Sequence, residues 1–489
     1  MPADAKGPNV GYVRTEVNRE FPKWEIVDDC IAGEIAVKKK GEKYLPKPET
    51  NSDPAKNQKQ YEKYKLRAVF FPVTGRTLSG LNGQVFSKPV AHEIPEKLEN
   101  LLENIDGAGT TLEQQSKQTL NSVLKRGRAG LLSDFPTVAD GDVVTRDDLE
   151  KGRIRPRIIF YHPAQIINWR ETTVGGETLL TKLVLREEKI VEDDGFEFKT
   201  SPRWRVLELT ETGVQVTLWK QENDEVKDGN VRYVKDGETV QLIGAGQKQL
   251  EKIPFVFVGA TNNDSTVDES PLYPLASLNV AHYRNSADHE QSLFLVGQAT
   301  PVFTGLTDDW MKKHIKGKVT LGSSNAVGLP KDADAKLLQA DPNTMPMEGM
   351  KHKEDQMKAI GAKLIEPRTV ERTATDAEIE ETSEASVLSA VAKNVSAAYR
   401  KAVYYASLFI GDFSEDDFSI DLNSDFQVMG LSATERKEVV EAWQGGVLTW
   451  EEVREVYRRK GIATKPDDEA KEVIAQGLAE FNGDASSDE

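Results

Sequence analysis

The pattern of apolar and polar positions is most informative between Ile253 and Leu306. The run Ile253–Val258 is apolar and β-branched, which predicts a buried strand. Ser270 and Pro271 suit the N-cap and the first position of a helix that ends near Gly297. The ends of this helix are apolar, but its middle, residues 282–292, is polar on every face. Such a helix gains little from burial, so we expect neighbours or a solvated channel along its flanks.

The region before this stretch divides into helices followed by strands. Helices are predicted after Trp24, within the segment 56–89 and over Leu112–Arg126, and a short strand over Gly130–Leu132. From Arg155 to Ile243 the chain consists of β-branched and aromatic runs separated by Gly, Asp and Asn turns. Close spacing of this kind is typical of an antiparallel meander, so the fold class is α+β.

A second set of helices follows the long helix. The segment Thr300–Pro346 predicts a small αβ insertion, with a helix over Asp308–Ile315 and a strand pair around residues 318–330. A helix over Met347–Leu364 runs back, so the two helices form a hairpin with the insertion at its tip. After a polar loop, a helix over Ala377–Ile410 carries an apolar stripe with three- and four-residue spacing: Leu388, Val391, Val395, Ala398, Ala402, Tyr405 and Phe409.

The last sixty residues return to short helices. Thr449 and Glu452 have the spacing of a capping box at the start of one of them. The final residues, NGDASSDE, are polar and small, and we expect them to be disordered.

Composition limits the classes of function. The chain has 489 residues and a formal net charge of −17, which argues against a basic surface that coats nucleic acid. The negative charge is compatible with a protein that encloses DNA without binding it tightly. Cys30 is the one cysteine, so a disulfide framework and a cysteine zinc site are excluded, and we interpret it as a half-buried bystander. Without an apolar signal segment or a membrane-length apolar run, we expect a soluble protein made in the cytoplasm.

The sequence offers no enzyme template. It lacks a phosphate-binding loop and a G-x-G-x-x-G turn after a strand. His282 and His289 lie seven residues apart on one helix face, too far to share a zinc ion. The acidic run between Asp412 and Asp425 lacks the spacing of a calcium loop and is interpreted as solvated. We therefore predict no catalytic residue, no metal and no cofactor.

Two polar segments are candidates for contact with nucleic acid or an acidic partner. The insertion contains a local basic patch, Lys312, Lys313, Lys316 and Lys318, within an acidic chain. The loop from residue 366 to residue 376 alternates in charge and contains Glu366, Arg368, Thr369, Glu371 and Arg372. For each segment, an ordinary solvated surface is the competing interpretation.

The order of these parts resembles the portal protein of a tailed double-stranded DNA bacteriophage. The stretches that carry the resemblance lie between about residues 24 and 400: YKLRAVFFPVTGRTLSGLNGQVF, IINWR, IPFVFVGATNND, LNVAHYRNSADHEQSLFLVGQATPVFTG and TATDAEIEETSEASVLSAVAKNV. No single string has a chemical meaning of its own. The specificity of the resemblance comes from the number and the order of the strings.

The resemblance implies a multi-domain subunit that forms a ring, usually of twelve copies, with an axial channel. The implied parts are an N-terminal αβ wing (1–265), a first stem helix (266–299), a clip (300–346), a second stem helix (347–365), a tunnel loop over the channel (366–376), a long helix returning to the wing (377–430), a helical crown (431–482) and a disordered tail (483–489). The stem contains His282, Arg284, Asp288, His289 and Glu290.

The implied function is that of a conduit at one capsid vertex of the virion, for packaging and ejection of double-stranded DNA. The implied partners are further copies of the chain, the terminase large subunit, head-completion or tail-adaptor proteins, and the major capsid and scaffolding proteins, with no membrane. A tail or baseplate protein with a similar layout is the alternative. A DNA-processing enzyme is a weaker one, because a motor needs the phosphate-binding loop that the chain lacks.

Overall fold

The structure is a computed structural model, and it describes residues 9–48, 52–136, 154–222, 232–298, 300–315, 329–339, 343–365, 386–426, 433–459 and single positions between 463 and 473. The chain forms two compact units, Met1–Ser424 and Asp425–Glu489. No helix in these ranges is long and apolar enough to cross a membrane.

The first unit begins with helices that form one layer. They are α1 (Thr15–Ala32), α2 (Glu34–Lys39), α3 (Pro54–Arg67), α4 (Val73–Val85), α5 (Asn100–Glu103) and α6 (Leu112–Arg126). The predicted bounds of α6 are confirmed, because Thr111 and Gln114 form a capping box at its start and Gly127 ends it in a left-handed conformation. The Gly-rich second half of the 56–89 segment is helical, as α4.

The strands form the predicted antiparallel meander and a second, smaller sheet. The large sheet has the order β4 (Ile166–Val174), β5 (Glu177–Asp193), β6 (Phe198–Thr210), β7 (Gly213–Gln221) and β8 (Tyr233–Lys235), with β9 (Val240–Gln241) also on β7. The small sheet has β2 (Arg128–Asp134) between β3 (Arg157–Tyr161) and β10 (Phe255–Gly259). A further pair joins β1 (Ala91–Glu93) to β13 (Ser419–Asp421). The α+β prediction is confirmed.

The main core lies between the two sheets and is closed by helices. Trp24 of α1, Trp169 of β4, Phe255 and Phe257 of β10 and Phe409 are buried together. The long C-terminal helix of this unit, α9 (Val387–Ser407), buries every position of the predicted apolar stripe within it, and Phe409 beyond its end is buried too. Ser133 on β2 donates a hydrogen bond to the carbonyl of Ala402, which fixes α9 on the small sheet.

The helical hairpin lies between β10 and α9 in the chain. Its helices are α7 (Tyr273–Val296) and α8 (Met345–Lys363). At its tip β11 (Thr300–Thr304) pairs with β12 (Asp334–Leu338), and a short helical segment begins at Asp308. The strand pair predicted around residues 318–330 lies mostly outside the described residues.

The second unit contains α10 (Ala433–Gln444) and α11 (Trp450–Arg459). The predicted capping box is confirmed: Glu452 N–H donates to Thr449 Oγ1 at 3.3 Å, and Thr449 N–H donates to Glu452 Oε2 at 2.7 Å. The predicted disordered tail lies outside the described residues.

One histidine makes the fold sensitive to acid. His162 lies between β3 and β4, and its Nδ1 accepts a hydrogen bond from the N–H of Ala164 at 3.2 Å, which requires a neutral ring. Burial, helped by the nearby cation of Arg126, lowers the pKa of His162 to about 4. The unfolded chain takes up its proton near pH 6.5, so this contribution is complete above that value and is lost as the pH falls towards 4.

We therefore expect His162→Asn to reduce the acid sensitivity of the protein. Between pH 7 and pH 4.5 the free energy of unfolding should fall by about 1–2 kcal/mol more in the wild type than in the variant. The effect is no larger because His162 is partly exposed and solvent screens its charge. Urea denaturation at the two pH values measures this difference, with His352→Asn on the exposed side of α8 as the control. Equal losses in the wild type and in His162→Asn would contradict the assignment.

Candidate functional site

The start of α7 is fixed by the end of α6. The N–H of Leu272 donates to the carbonyl of Leu124 at 3.3 Å, and the N–H of Ala260 donates to the carbonyl of Gly127 at 3.0 Å. The predicted N-cap is wrong, because Ser270 Oγ donates to the carbonyl of Leu124 instead and the helix begins at Tyr273 without a side-chain cap. The segment 266–299 therefore includes a loop, and its helix, Tyr273–Val296, is shorter than expected.

Some polar residues of α7 are buried against their own chain, which agrees with the expectation of neighbours along its flanks, while Arg284 and Asp288 in its middle are exposed. Asn279, His282 and Ser286 are each almost fully buried. Ser286 Oγ accepts from the N–H of Val69 at 2.8 Å and donates to the carbonyl of the same residue at 2.6 Å. Further along, Tyr64 donates to Asp288 Oδ1 at 2.6 Å. These polar groups therefore join α7 to the N-terminal helices.

The remaining stem residues also contact their own chain. Arg284 Nε donates to the carbonyl of Tyr44 at 2.7 Å, and His282 Nε2 lies 3.3 Å from Glu354 Oε1 on α8. His289 and Glu290 are half-buried. Among the described residues, no three His, Cys, Asp or Glu side chains are grouped so that they could hold a metal ion. The geometry of this segment therefore supports a structural role for its polar residues.

Cys30 packs against the same helix. Its Sγ lies 3.5 Å from the carbonyl of Ala276 on α7, and the side chain is fully buried rather than half-buried as predicted. Burial raises the pKa of this thiol to about 12, so the thiolate that reacts with oxidants and electrophiles is scarce at neutral pH.

The far end of the hairpin has the opposite pattern, with apolar side chains outside. On α7, Leu293 and Leu295 are 54% and 55% exposed, and Phe294 is partly covered by the guanidinium of Arg67 at 3.7 Å from its ring centre. The other exposed apolar residues of this end are Val302, Met311, Leu337, Leu338, Met345 and Met347. We call this set, with Leu293, Phe294 and Leu295, the apolar tip. A soluble protein rarely leaves such a set uncovered.

The predicted basic patch is placed only in part. Lys312 and Lys313 are exposed on the helical turn Met311–Ile315, which directly follows the acidic residues Asp308 and Asp309. Lys316 and Lys318 lie outside the described residues. The five residues of the expected tunnel loop, Glu366, Arg368, Thr369, Glu371 and Arg372, lie outside them too.

Comparison with known proteins gives one family and several structures. The chain matches a family described as a domain of unknown function, DUF4055, over residues 271–410. That range covers α7, the tip, α8 and α9. No curated protein matches the chain.

Three solved structures that are similar to the chain come from gene transfer agent (GTA) particles. One is the neck of an empty GTA particle computed with C6 symmetry, with 12% identity and a TM-score of 0.33 over 79% of this chain and 90% of the other. A second is the virion of a native particle, with 14% identity and a TM-score of 0.34 over 87% and 98%. A third is the neck of a native particle computed with C12 symmetry, with 13% identity and a TM-score of 0.32 over 79% and 89%. TM-scores in this range do not establish a shared fold.

One cluster near the start of α7 has no counterpart in the sequence interpretation. The ring of Trp169 stacks between two guanidinium groups, Arg14 at 4.3 Å and Arg128 at 4.2 Å. Arg128 also lies 4.6 Å from the ring of Phe257 and is fully buried, which lowers its pKa to about 9. These arginines and aromatic rings come from distant parts of the chain, so no local sequence pattern predicts their contacts.

Proposed function

We propose that the chain is the subunit of a phage-type portal, a ring at one capsid vertex through which double-stranded DNA enters and leaves. The apolar tip is the observation that carries this proposal. Its side chains protrude at the end of a helical hairpin, where the described part of one chain cannot bury them. Burial against neighbouring copies removes this surface from water, and repeated head-to-tail contacts close into a ring.

The charge of the chain supports a conduit. At −17 per copy, a ring presents DNA with a repulsive environment, and each phosphate that is not gripped leaves the duplex free to slide. The expected loop 366–376 lines the channel in this proposal, with Arg368 and Arg372 as its cations. The clip, with Lys312 and Lys313 on its surface, docks the terminase large subunit during packaging and head-completion or tail-adaptor proteins afterwards. Capsid and scaffolding proteins surround the ring.

Imaging of the purified protein tests the proposal. We expect negative-stain images to show closed rings with an axial channel wide enough for duplex DNA. A monomer, or an oligomer without a channel under assembly conditions, would contradict the portal and would favour the tail or baseplate alternative. Nuclease and ATPase turnover above background in the same sample would contradict a non-enzymatic role.

Charged residues at the tip should prevent assembly. In the double variant Leu293→Glu, Leu295→Glu, each new carboxylate loses its water if the tip is buried between copies, so we expect rings to be replaced by monomers. Mass photometry measures the ratio of rings to monomers. The monomer should remain folded, because both positions are more than half exposed, and circular dichroism checks this. Ile35→Glu, an equally drastic change at an exposed site on α2, is the control. If the double variant formed rings in the same yield as the wild type, the apolar tip would not be the contact between copies.

A further inference from the structure

The large sheet extends into a two-stranded arm. Strand β5 pairs with β4 only as far as Leu185, and β6 pairs with β7 only as far as Arg203. Beyond these points, among the described strands, residues 189–193 of β5 pair with β6 alone. A two-stranded ribbon is marginally stable by itself in water. This arm nevertheless exposes apolar side chains along its length: Ile190, Val191, Phe196 and Phe198.

The base of the arm is rigid. Glu187 is largely buried there and accepts hydrogen bonds from Arg203 at 2.7 Å, Arg205 at 2.7 Å and the hydroxyl of Tyr161 at 2.5 Å. These bonds to charged groups join both strands of the arm to the small sheet, because Tyr161 belongs to β3. The direction of the arm is therefore set by the body of the chain.

The turn at the end of the arm orders the backbone of Phe196. Asp194 Oδ1 accepts from the N–H groups of Phe196 at 2.8 Å and Glu197 at 2.6 Å, and Asp193 Oδ1 accepts from Gly195 at 2.8 Å. The left-handed φ of +87° at Gly195 completes the turn. Phe196 is 98% exposed. Because the backbone of the turn is already ordered, insertion of this ring costs only the rotamer freedom of one side chain with two χ angles, which suits an anchor residue.

A groove of matching character lies between α4 and α8. It has a volume of about 460 Å³ and is lined mainly by apolar groups, including Phe71, Leu81 and Met357. Gly80 and Gly361 also line it, and a side chain at either would meet open space, so the residues that the structure describes leave the groove unfilled. Two exposed cations, Arg76 and Lys358, stand among the lining residues, together with Glu354, which faces His282. Lys358 is paired with Asp355 at 2.9 Å, so Arg76 is the cation that faces the groove without such a partner among the described contacts.

We infer that Phe196 of one copy inserts into the groove between α4 and α8 of a second copy. The arm end carries Asp193, Asp194 and Glu197 around the ring, and the groove offers the exposed guanidinium of Arg76, so the two surfaces are complementary in charge at that point. This complementarity is needed between copies that each carry a net charge of −17. An anchor and a groove on different parts of one chain produce head-to-tail contacts, so the inference rests on the proposed ring and specifies one of its joints.

Disulfide cross-linking tests the joint. The double variant Phe196→Cys, Gly80→Cys places one thiol on the arm and one in the groove, and the native Cys30 is buried and does not compete. After mild oxidation, denaturing gels without reductant should show a ladder of covalent multimers. The matched control, Phe196→Cys with Ser79→Cys, places the second thiol on the neighbouring exposed residue of α4, outside the groove lining, and should remain monomeric on the gel.

A second variant keeps the native cysteine content. Phe196→Ala should weaken the association of copies about tenfold or more, which mass photometry over a dilution series measures. Val174→Ala, an exposed apolar position at the β4–β5 turn, is the control and should associate like the wild type.

The outcomes separate this inference from the proposed function. Wild-type rings without a Gly80 cross-link, and without an effect of Phe196→Ala, would overturn the arm joint and leave the ring intact. A cross-linked ladder from a protein that forms open chains would support the joint and overturn the closed ring.

Discussion

Gly127→Ala is expected to lower the free energy of unfolding by about 3–5 kcal/mol, the largest effect of any single change considered. Gly127 has a φ of +72° at the end of α6, a conformation that side chains disfavour. A Cβ atom there lies 2.2 Å from the carbonyl oxygen of Asp268 and 2.7 Å from that of Glu269. Both carbonyl groups belong to the backbone of the loop that leads into α7. The collision with the new Cβ atom can therefore be removed only if the loop, and with it the start of the hairpin, moves.

Urea denaturation measures the effect as a shift of the midpoint at constant slope. Gly109→Ala is the matched control, because Gly109 has a φ of +93° and nothing within 4 Å of its added Cβ. The Gly109→Ala variant has the conformational cost of a side chain at positive φ but no collision, so its free energy of unfolding should fall by only about 1–2 kcal/mol. If the free energy of unfolding fell by the same amount in both variants, the loop would be shown to move away from residue 127 at little cost.

Asn279→Ala is expected to cost about 3–4 kcal/mol. Its side chain is fully buried on α7, where Oδ1 accepts from the hydroxyl of Thr74 at 2.9 Å and from its N–H at 3.3 Å. Its Nδ2 donates to the carbonyl of Phe71 at 2.8 Å. Removal of the amide leaves these buried groups of the 71–74 segment without their partner.

Thermal unfolding and native-state hydrogen exchange measure the loss. Exchange should accelerate at the start of α4 beyond the global effect, because Thr74 loses a local bond. Asn285→Ala, a half-buried position of the same helix, controls for truncation and should cost less than about 1 kcal/mol. If both variants lost the same amount, the hydrogen bonds of Asn279 would contribute little.

Regular local patterns predict the fold where burial follows the period of the element. The stripe on α9 has helical spacing, and the capping box of Thr449 and Glu452 at the start of α11 uses residues three apart, so both are predictable from the sequence. The burial of polar residues on α7 is not predictable in this way. The partners of Asn279 and Ser286 are Thr74 and Val69, more than 200 residues away in the chain, so an inward-facing polar residue resembles a solvated one.

The candidate site shows the same limit. The hairpin was predictable from two helices that flank a short insertion, but its exposed apolar tip was not, since isolated apolar residues near turns occur in buried and exposed places alike. The run that begins at Phe196 predicts a strand, but Phe196 belongs to the turn and β6 begins at Phe198. The protrusion of Phe196 depends on where β4 and β7 stop pairing, which a single run does not encode.

The position of α9 on β2 has a consequence for synthesis on the ribosome. Ser133 and Ala402 are joined by a hydrogen bond across 269 residues, so the face of the small sheet that α9 covers waits for that stretch to be translated. At 5–20 residues per second this delay is roughly 13–54 s. During that interval the nascent chain exposes apolar strands, which makes it a natural client for chaperones. Translation of α9 thus becomes the step that allows the small sheet of a new copy to be covered.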